Sequence, residues 1–208
     1  MSGIAIIGAG GHGRVVASIL QAASIQPAGF IDSGVKADLP LPLLGADSDI
    51  PALMEAGTID RFVIGLGSVN GGPSLRGRLF DKMIGFGLTP VVAIHPTALL
   101  SPGVKVGAGS VIMAGAMVNI DTVIGKNCII NTGAIIDHDG QIGDHVHIAP
   151  GVTLSGHVSV GDNGLVGVGS TIRQGIKIGN NVTLGAGSVV VKDIANGVTA
   201  FGNPAKAV

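Results

Sequence analysis

Residues 123–148 read VIGKNCIINTGAIIDHDGQIGDHVHI, and within this stretch Ile124, Ile130, Ile136, Ile142 and Ile148 fall six apart. A period of six is too long for a helix and too sparse for one continuous strand, so it announces a stack of short strands. Followed outward in both directions, the same column holds Ile94, Leu100, Val106, Ile112, Val118, Leu154, Val160, Val166, Ile172, Ile178, Leu184 and Val190, seventeen branched aliphatics without a slip. Two places before these lie mostly small or β-branched residues, among them Ser110, Ala116, Thr122, Cys128, Ala134, Gly140, Ser170 and Ser188. Both columns are expected to face inward.

The column three places after each aliphatic runs Gly103, Gly109, Gly115, Asp121, Asn127, Gly133, Asp139, His145, Gly151, His157, Asn163, Gly169, Gly175, Asn181, Gly187. These residue types enter the left-handed backbone region at least cost, so every sixth residue is predicted to turn a corner. Three hexads then close one triangular coil, and coils stack at about 4.8 Å.

Composition agrees with thin aliphatic layers and tight turns: among 208 residues there are 36 glycines, no Trp, no Tyr and five Phe. A net charge of −1 gives no electrostatic reason to expect nucleic acid or an anionic membrane as partner. No apolar run reaches the roughly 18 residues of a membrane span, and the N-terminus has no signal-peptide pattern, so a cytoplasmic location is expected. The single cysteine, Cys128, excludes an internal disulfide and any multi-cysteine zinc site. Its place in the small inward column marks it as packing.

Before the repeat the periodicity changes. Ile4–Ile7, Ala28–Asp32 and Arg61–Ile64 read as strands, Arg14–Ala23 and Ser74–Phe86 as helices, and their alternation predicts a small parallel α/β domain. Gly8, Gly10 and Gly13 fit G-x-G-x-x-G between a strand and a helix, with Asp32 ending the next strand. Backbone N–H groups of Gly10, Gly11, His12, Gly13 and Arg14 at a helix start suit phosphate oxygens, and Asp32 suits a ribose hydroxyl. Three strands are half of the sheet that usually holds a dinucleotide, so one nucleotide fits better than NAD. The expected division is 1–92 for this Rossmann-like domain, 93–198 for the solenoid and 199–208 for a tail.

The repeat resembles the hexapeptide-repeat acyltransferases, and the closing "GVTAFGNPAKAV" is a common ending among them. That resemblance implies a left-handed parallel β-helix, a homotrimer, and contacts from Asn203 and Lys206 to acetyl-CoA. "GAGGHG", "FID" and "GLGSVN" ahead of such a solenoid resemble one subfamily closely: the N-acetyltransferases for nucleotide-linked 4-amino-6-deoxy sugars, together with related sialic acid O-acetyltransferases. The resemblance implies a nucleotide-sugar on the N-terminal domain, acetyl-CoA on the solenoid, His138 followed by an acid as general base, and a binding contact from His147.

The residues themselves support part of this. His145 and His157 occupy corner positions and His95 precedes Pro96 at the junction, whereas His138 and His147 have no backbone reason to be histidine. One coil after His138 stands Gly156, expected to leave room for a ligand and to offer an N–H to an oxyanion. Asp139, or Asp137, is placed to fix the imidazole tautomer. No metal is expected, because no two solenoid histidines show the H-x4-H spacing of trimeric hexapeptide metalloenzymes. A scaffold role is disfavoured because no ladder of one residue type is visible on the outward positions.

Overall fold

The computed structural model describes residues 3–34, 38–67 and 75–208. The N-terminal part is built of β1 (Gly3–Ile7), α1 (Gly11–Ala22), β2 (Gly29–Ile31), β3 (Leu43–Gly45), α2 (Ile50–Glu55), β4 (Ile59–Ile64), α3 (Leu75–Gly85) and β5 (Thr89–Pro90). All pairings are parallel and the order is β3-β2-β1-β4-β5. The sheet therefore has five strands and not three. The two additions are edge strands of three and two residues, one following Pro42 and the other ending on Pro90, too short to carry a periodic signal. Strand number accordingly gives no ground for preferring one nucleotide over two. The motif GLGSVN runs into residues 68–70, and Ser74, the predicted start of α3, is likewise outside the described residues.

The solenoid follows the six-residue rule throughout. Its first face carries the strands from Ala93–Ile94 to Thr183–Leu184, its second those from Leu99–Leu100 to Val189–Val190, and its third those from Lys105–Val106 to Lys177–Ile178. Partners lie 18 residues apart, as in Met117 with Ile135, Val123 with Gln141 and Ile129 with His147, so three hexads make one coil. All fifteen predicted corners have positive φ, between 52° and 80°. From Ile112 to Val190 the aliphatic column is buried. Ile94 is 36% exposed, and Leu100 and Val106 are only partly covered, because the first coil has a neighbour on one side alone.

One outward ladder exists after all. Asp144, Asp162, Asn180 and Asn196 each accept, through a side-chain oxygen, the N–H of Lys126, Asp144, Asp162 and Asn180 one coil earlier, at 2.8–2.9 Å. Asp and Asn serve as equivalent acceptors, so the ladder does not show as a run of one residue type. The last rung is 16 residues long, as is the pairing of Thr183 with Thr199. There the chain leaves the repeat and folds back as Thr199–Gly202 and Ala205–Ala207, an antiparallel pair that covers the final strand edge.

The N-terminal domain docks on the first face. Val16, Ile19 and Leu20 of α1 share a core with Ala93, Val111, Met113 and Ile129. Phe80 of α3 packs edge-on against His145 at 5.8 Å. Beside it Arg76, 1% exposed, donates to the carbonyls of Ile64 at 2.9 Å, Leu66 at 2.7 Å and Asn127 at 3.3 Å. No helix among the described residues is long and apolar enough to cross a membrane.

Candidate active site

The glycine loop begins where β1 ends. Gly8 has φ +104°, and a Cβ on Gly13 would collide with the Gly8 carbonyl oxygen, so these two glycines let α1 start directly behind the strand. A Cβ on Gly10 or Gly11 would meet no heavy atom within 4 Å, so both face open space. They line a cleft of 480 Å³ with His12, Asp32, Ser33, Asp47, Gly65 and Leu66, at the carboxyl ends of β1, β2 and β4. Asp32 accepts the N–H of Ala9 at 2.7 Å and that of Gly34 at 2.8 Å, so it ties β2 to the loop as well as lining the cleft. Arg14 is on the exposed side of α1, away from the cleft lining, and Gly13 is buried.

His12 enters the cleft as a neutral ring. Burial, with Arg76 and His147 nearby, pushes its pKa down to about 3, and its buried Nε2 has no hydrogen-bond partner among the described residues. His147, 9% exposed, sits on the first face one coil after Ile129, where its Nε2 accepts from Asn131 Nδ2 at 3.0 Å. The glycine loop, His12 and His147 thus belong to one side of the molecule.

His138 belongs to another. It lies at the corner between the second and third faces, opposite the face that carries the N-terminal domain. Its Nδ1 is 2.7 Å from Asp139 Oδ2, while Asp137 Oδ1 accepts the His138 backbone N–H at 2.8 Å. Asp139 is therefore the residue that fixes the tautomer: with the proton on Nδ1, Nε2 keeps a free lone pair and has no acceptor or donor among the described residues. The Asp139 bond, aided by the charge of Asp137, raises the His138 pKa above the ordinary imidazole value. Both side chains remain open to solvent, at 41% and 43% exposure.

Gly156 does not leave an empty space. A Cβ there would meet Cε1 and Nε2 of His138 at 2.5 Å, so the imidazole itself lies over the glycine. Gly156 stands one coil, 18 residues, after His138, and this offset is what brings the two together. His157, the following corner residue with φ +57°, stacks edge-on against His138 at 5.0 Å and brings its Nε2 to 3.6 Å from Asp139 Oδ2. Its corner role is legible in the chain; its contact with His138 is recoverable only from the offset of 18 from Asp139.

Elsewhere the assignments separate in the same way. Cys128 is fully buried, with its thiol pKa pushed up to about 12 by burial, and donates to the Gly143 carbonyl at 3.0 Å. Asn203 and Lys206 are exposed on the terminal hairpin. Arg76, invisible to motif reading because it lacks a carboxylate partner in sequence, joins the cleft floor at Leu66 to the solenoid corner at Asn127.

Residues 3–83 match the family model of the PglD N-terminal domain, residues 121–156 that of the bacterial transferase hexapeptide (six repeats), and residues 157–192 that of the hexapeptide repeat of succinyl-transferase. Among solved structures, PerB from Caulobacter crescentus, in complex with CoA and GDP-perosamine, is 40% identical with a TM-score of 0.93, over 100% of this chain and 98% of that one. The acetyltransferase domain of PglB from Neisseria gonorrhoeae FA1090 is 35% identical with a TM-score of 0.90, over 99% and 98%. WeeI from Acinetobacter baumannii AYE is 25% identical with a TM-score of 0.88, over the whole of both chains. Comparison with curated proteins finds no match. The coils accordingly wind as a left-handed β-helix.

Proposed function

The chain belongs to the hexapeptide-repeat nucleotide-sugar acetyltransferases with a PglD-type N-terminal domain, and on that premise we propose that it transfers acetyl from acetyl-CoA to the amine of a nucleotide-diphosphate-linked 4-amino-deoxy sugar. The observation that carries the proposal is the His138–Asp139 pair on an open corner, with Nε2 unengaged. His138 Nε2 takes the proton that the sugar amine loses as it attacks the thioester carbon, and the imidazolium, steadied by Asp139, returns it to the departing thiolate. The Gly156 N–H is our candidate donor to the oxyanion. Cys128 takes no part, since a buried thiol with a raised pKa supplies no thiolate.

On the N-terminal side, Gly10, Gly11 and the start of α1 hold the diphosphate, with Asp32 and the neutral His12 toward the nucleoside and sugar. Gly13 and Arg14 shape and flank that turn. We assign residues 1–92 to the nucleotide-sugar domain, 93–198 to the acetyl-CoA solenoid and 199–208 to the tail, whose Asn203 and Lys206 are candidate acetyl-CoA contacts along with His147. The homotrimer is proposed from the family resemblance; what supports a site shared between copies is that His138 and the cleft lie on opposite sides of one chain, so that a sugar held in the cleft would be presented to the corner of a neighbouring copy. A substrate built on a nucleotide makes the cytoplasm the compartment we propose.

Thiol release from acetyl-CoA, measured against a panel of GDP- and UDP-linked 4-amino sugars, tests the reading. Turnover with at least one member and its loss in His138→Ala are expected. No turnover across the panel, or an unimpaired His138→Ala variant, overturns it.

A further inference from the structure

The corner that carries His138 holds a second chemistry. His138, Asp139 and His157 each offer one ligand atom, and these atoms all lie within 4.8 Å of one another. Two imidazole nitrogens and a carboxylate oxygen are a common donor set for Zn²⁺, whose bonds to N and O are about 2.0–2.2 Å long. The two separations that involve Asp139, 2.7 Å from His138 Nδ1 to Oδ2 and 3.6 Å from His157 Nε2 to the same oxygen, bracket the edge of a small coordination tetrahedron, and the third, between the two imidazoles, lies within 4.8 Å and closes by rotation of two exposed rings. All three side chains are exposed, at 41%, 43% and 57%, which leaves a fourth position for water and an open path for the ion. The backbone is committed in advance, since Asp139 and His157 are successive corners of one edge, held at φ +57° by the coil stacking.

We propose that His138, Asp139 and His157 form an inhibitory binding site for a divalent transition cation of the zinc class. The inhibition follows from the tautomer. In the neutral ring the single proton sits on Nδ1 and faces Asp139; a cation on Nδ1 displaces it, and the ring then carries its proton on Nε2. A ring that began protonated releases one proton to the buffer. In either case the lone pair that receives the amine proton is gone. The consequence for turnover rests on the proposed role of His138, but the binding itself does not.

His157 separates the two. Asparagine occupies the equivalent positive-φ corners at Asn127, Asn163 and Asn181, so His157→Asn keeps the turn while removing a ligand. Asp139→Asn likewise keeps its corner and removes the carboxylate. Titration of the full chain with Co²⁺, followed by its visible absorption, is expected to saturate near one equivalent per chain in the wild type and to weaken by ~10-fold or more in each variant. Zn²⁺ is expected to inhibit acetyl transfer reversibly, with EDTA restoring it, and to inhibit His157→Asn only at ~10-fold higher concentration, each inhibition curve being read against that protein's own metal-free rate. Wild-type protein that binds no Co²⁺, or Co²⁺ and Zn²⁺ responses identical in wild type and His157→Asn, overturns the proposal. A protein that binds Co²⁺ as described yet transfers no acetyl group would sink the enzymatic reading and leave the cation site standing.

Discussion

Substituting alanine at Gly156 separates two roles that meet at one position. A Cβ there would lie 2.5 Å from Cε1 and Nε2 of His138 and 3.1 Å from Cδ2, against about 3.4 Å for ordinary contact, and these are its three nearest atoms. Gly156 is not in the left-handed region, so alanine meets no backbone strain, and its N–H survives. The only group that must yield is an exposed ring, which turns outward and loses its 2.7 Å bond to Asp139. Stability should therefore hold or improve: a Gly→Ala change at a compatible position gains about 0.4–1 kcal/mol through the unfolded state, a Tm rise of roughly 1–4 °C for a chain of this length. Catalysis should not hold. A misplaced general base costs ~10²-fold or more in kcat. Thiol release at saturating substrates, paired with calorimetry, reads both quantities. A Gly156→Ala enzyme whose kcat stays within about threefold of wild type would show that the seat of the imidazole is immaterial, and a Tm fall beyond about 5 °C would refute the packing argument.

Other consequences are open to direct measurement. The base works when neutral, so kcat/KM should fall as pH drops through the raised His138 pKa; Asp139→Asn removes the bond that raises it, and the acidic limb should move to lower pH while the plateau drops. An acidic limb that stays in place would remove Asp139 from the mechanism. Arg76→Met strips the donor from three buried or part-buried carbonyls, at Ile64, Leu66 and Asn127, and should cost about 3 kcal/mol or more, a Tm fall of roughly 6–12 °C. A fall under about 2 °C contradicts that account of its burial. If the site is shared between copies, subunit exchange between His138→Ala and a cleft-blocked Gly10→Leu chain should restore activity that neither has alone; exchanged mixtures that stay inactive, or a monomer by solution scattering, would count against a shared site.

The solenoid is legible because its rule is local. Each corner needs only a residue that tolerates positive φ, and each inner position only a branched aliphatic, so all fifteen corners can be named from the chain alone. The N-terminal sheet is less so, since β3 and β5 owe their pairing to a neighbour already in place and not to their own two or three residues. In the site, the adjacency of His138 and Asp139 is visible in the chain, whereas the imidazole over Gly156, the approach of His157 and the ladder through Asp144, Asp162 and Asn180 all arise from stacking one coil on the next. His145 illustrates the mixture: its φ of +60° is foreseeable, but its Nδ1 also accepts from Asn127 Nδ2 one coil earlier at 2.9 Å, and its ring packs on Phe80, a contact that only the docked domain explains. Arg76 places its Nε and Nη1 on backbone oxygens, and backbone oxygens leave no trace in a sequence.

The pairings at intervals of 18 also say how such a chain can change in length. One residue gained within a hexad would move every later side chain from lumen to surface, whereas a whole coil gained or lost would leave each wall intact and merely lengthen or shorten the prism. Growth is thus quantised, and inheritance of this architecture should proceed in blocks of 18 residues. The far end offers single-residue changes a refuge, since the 16-residue step into the terminal hairpin shows that the count has already been released there.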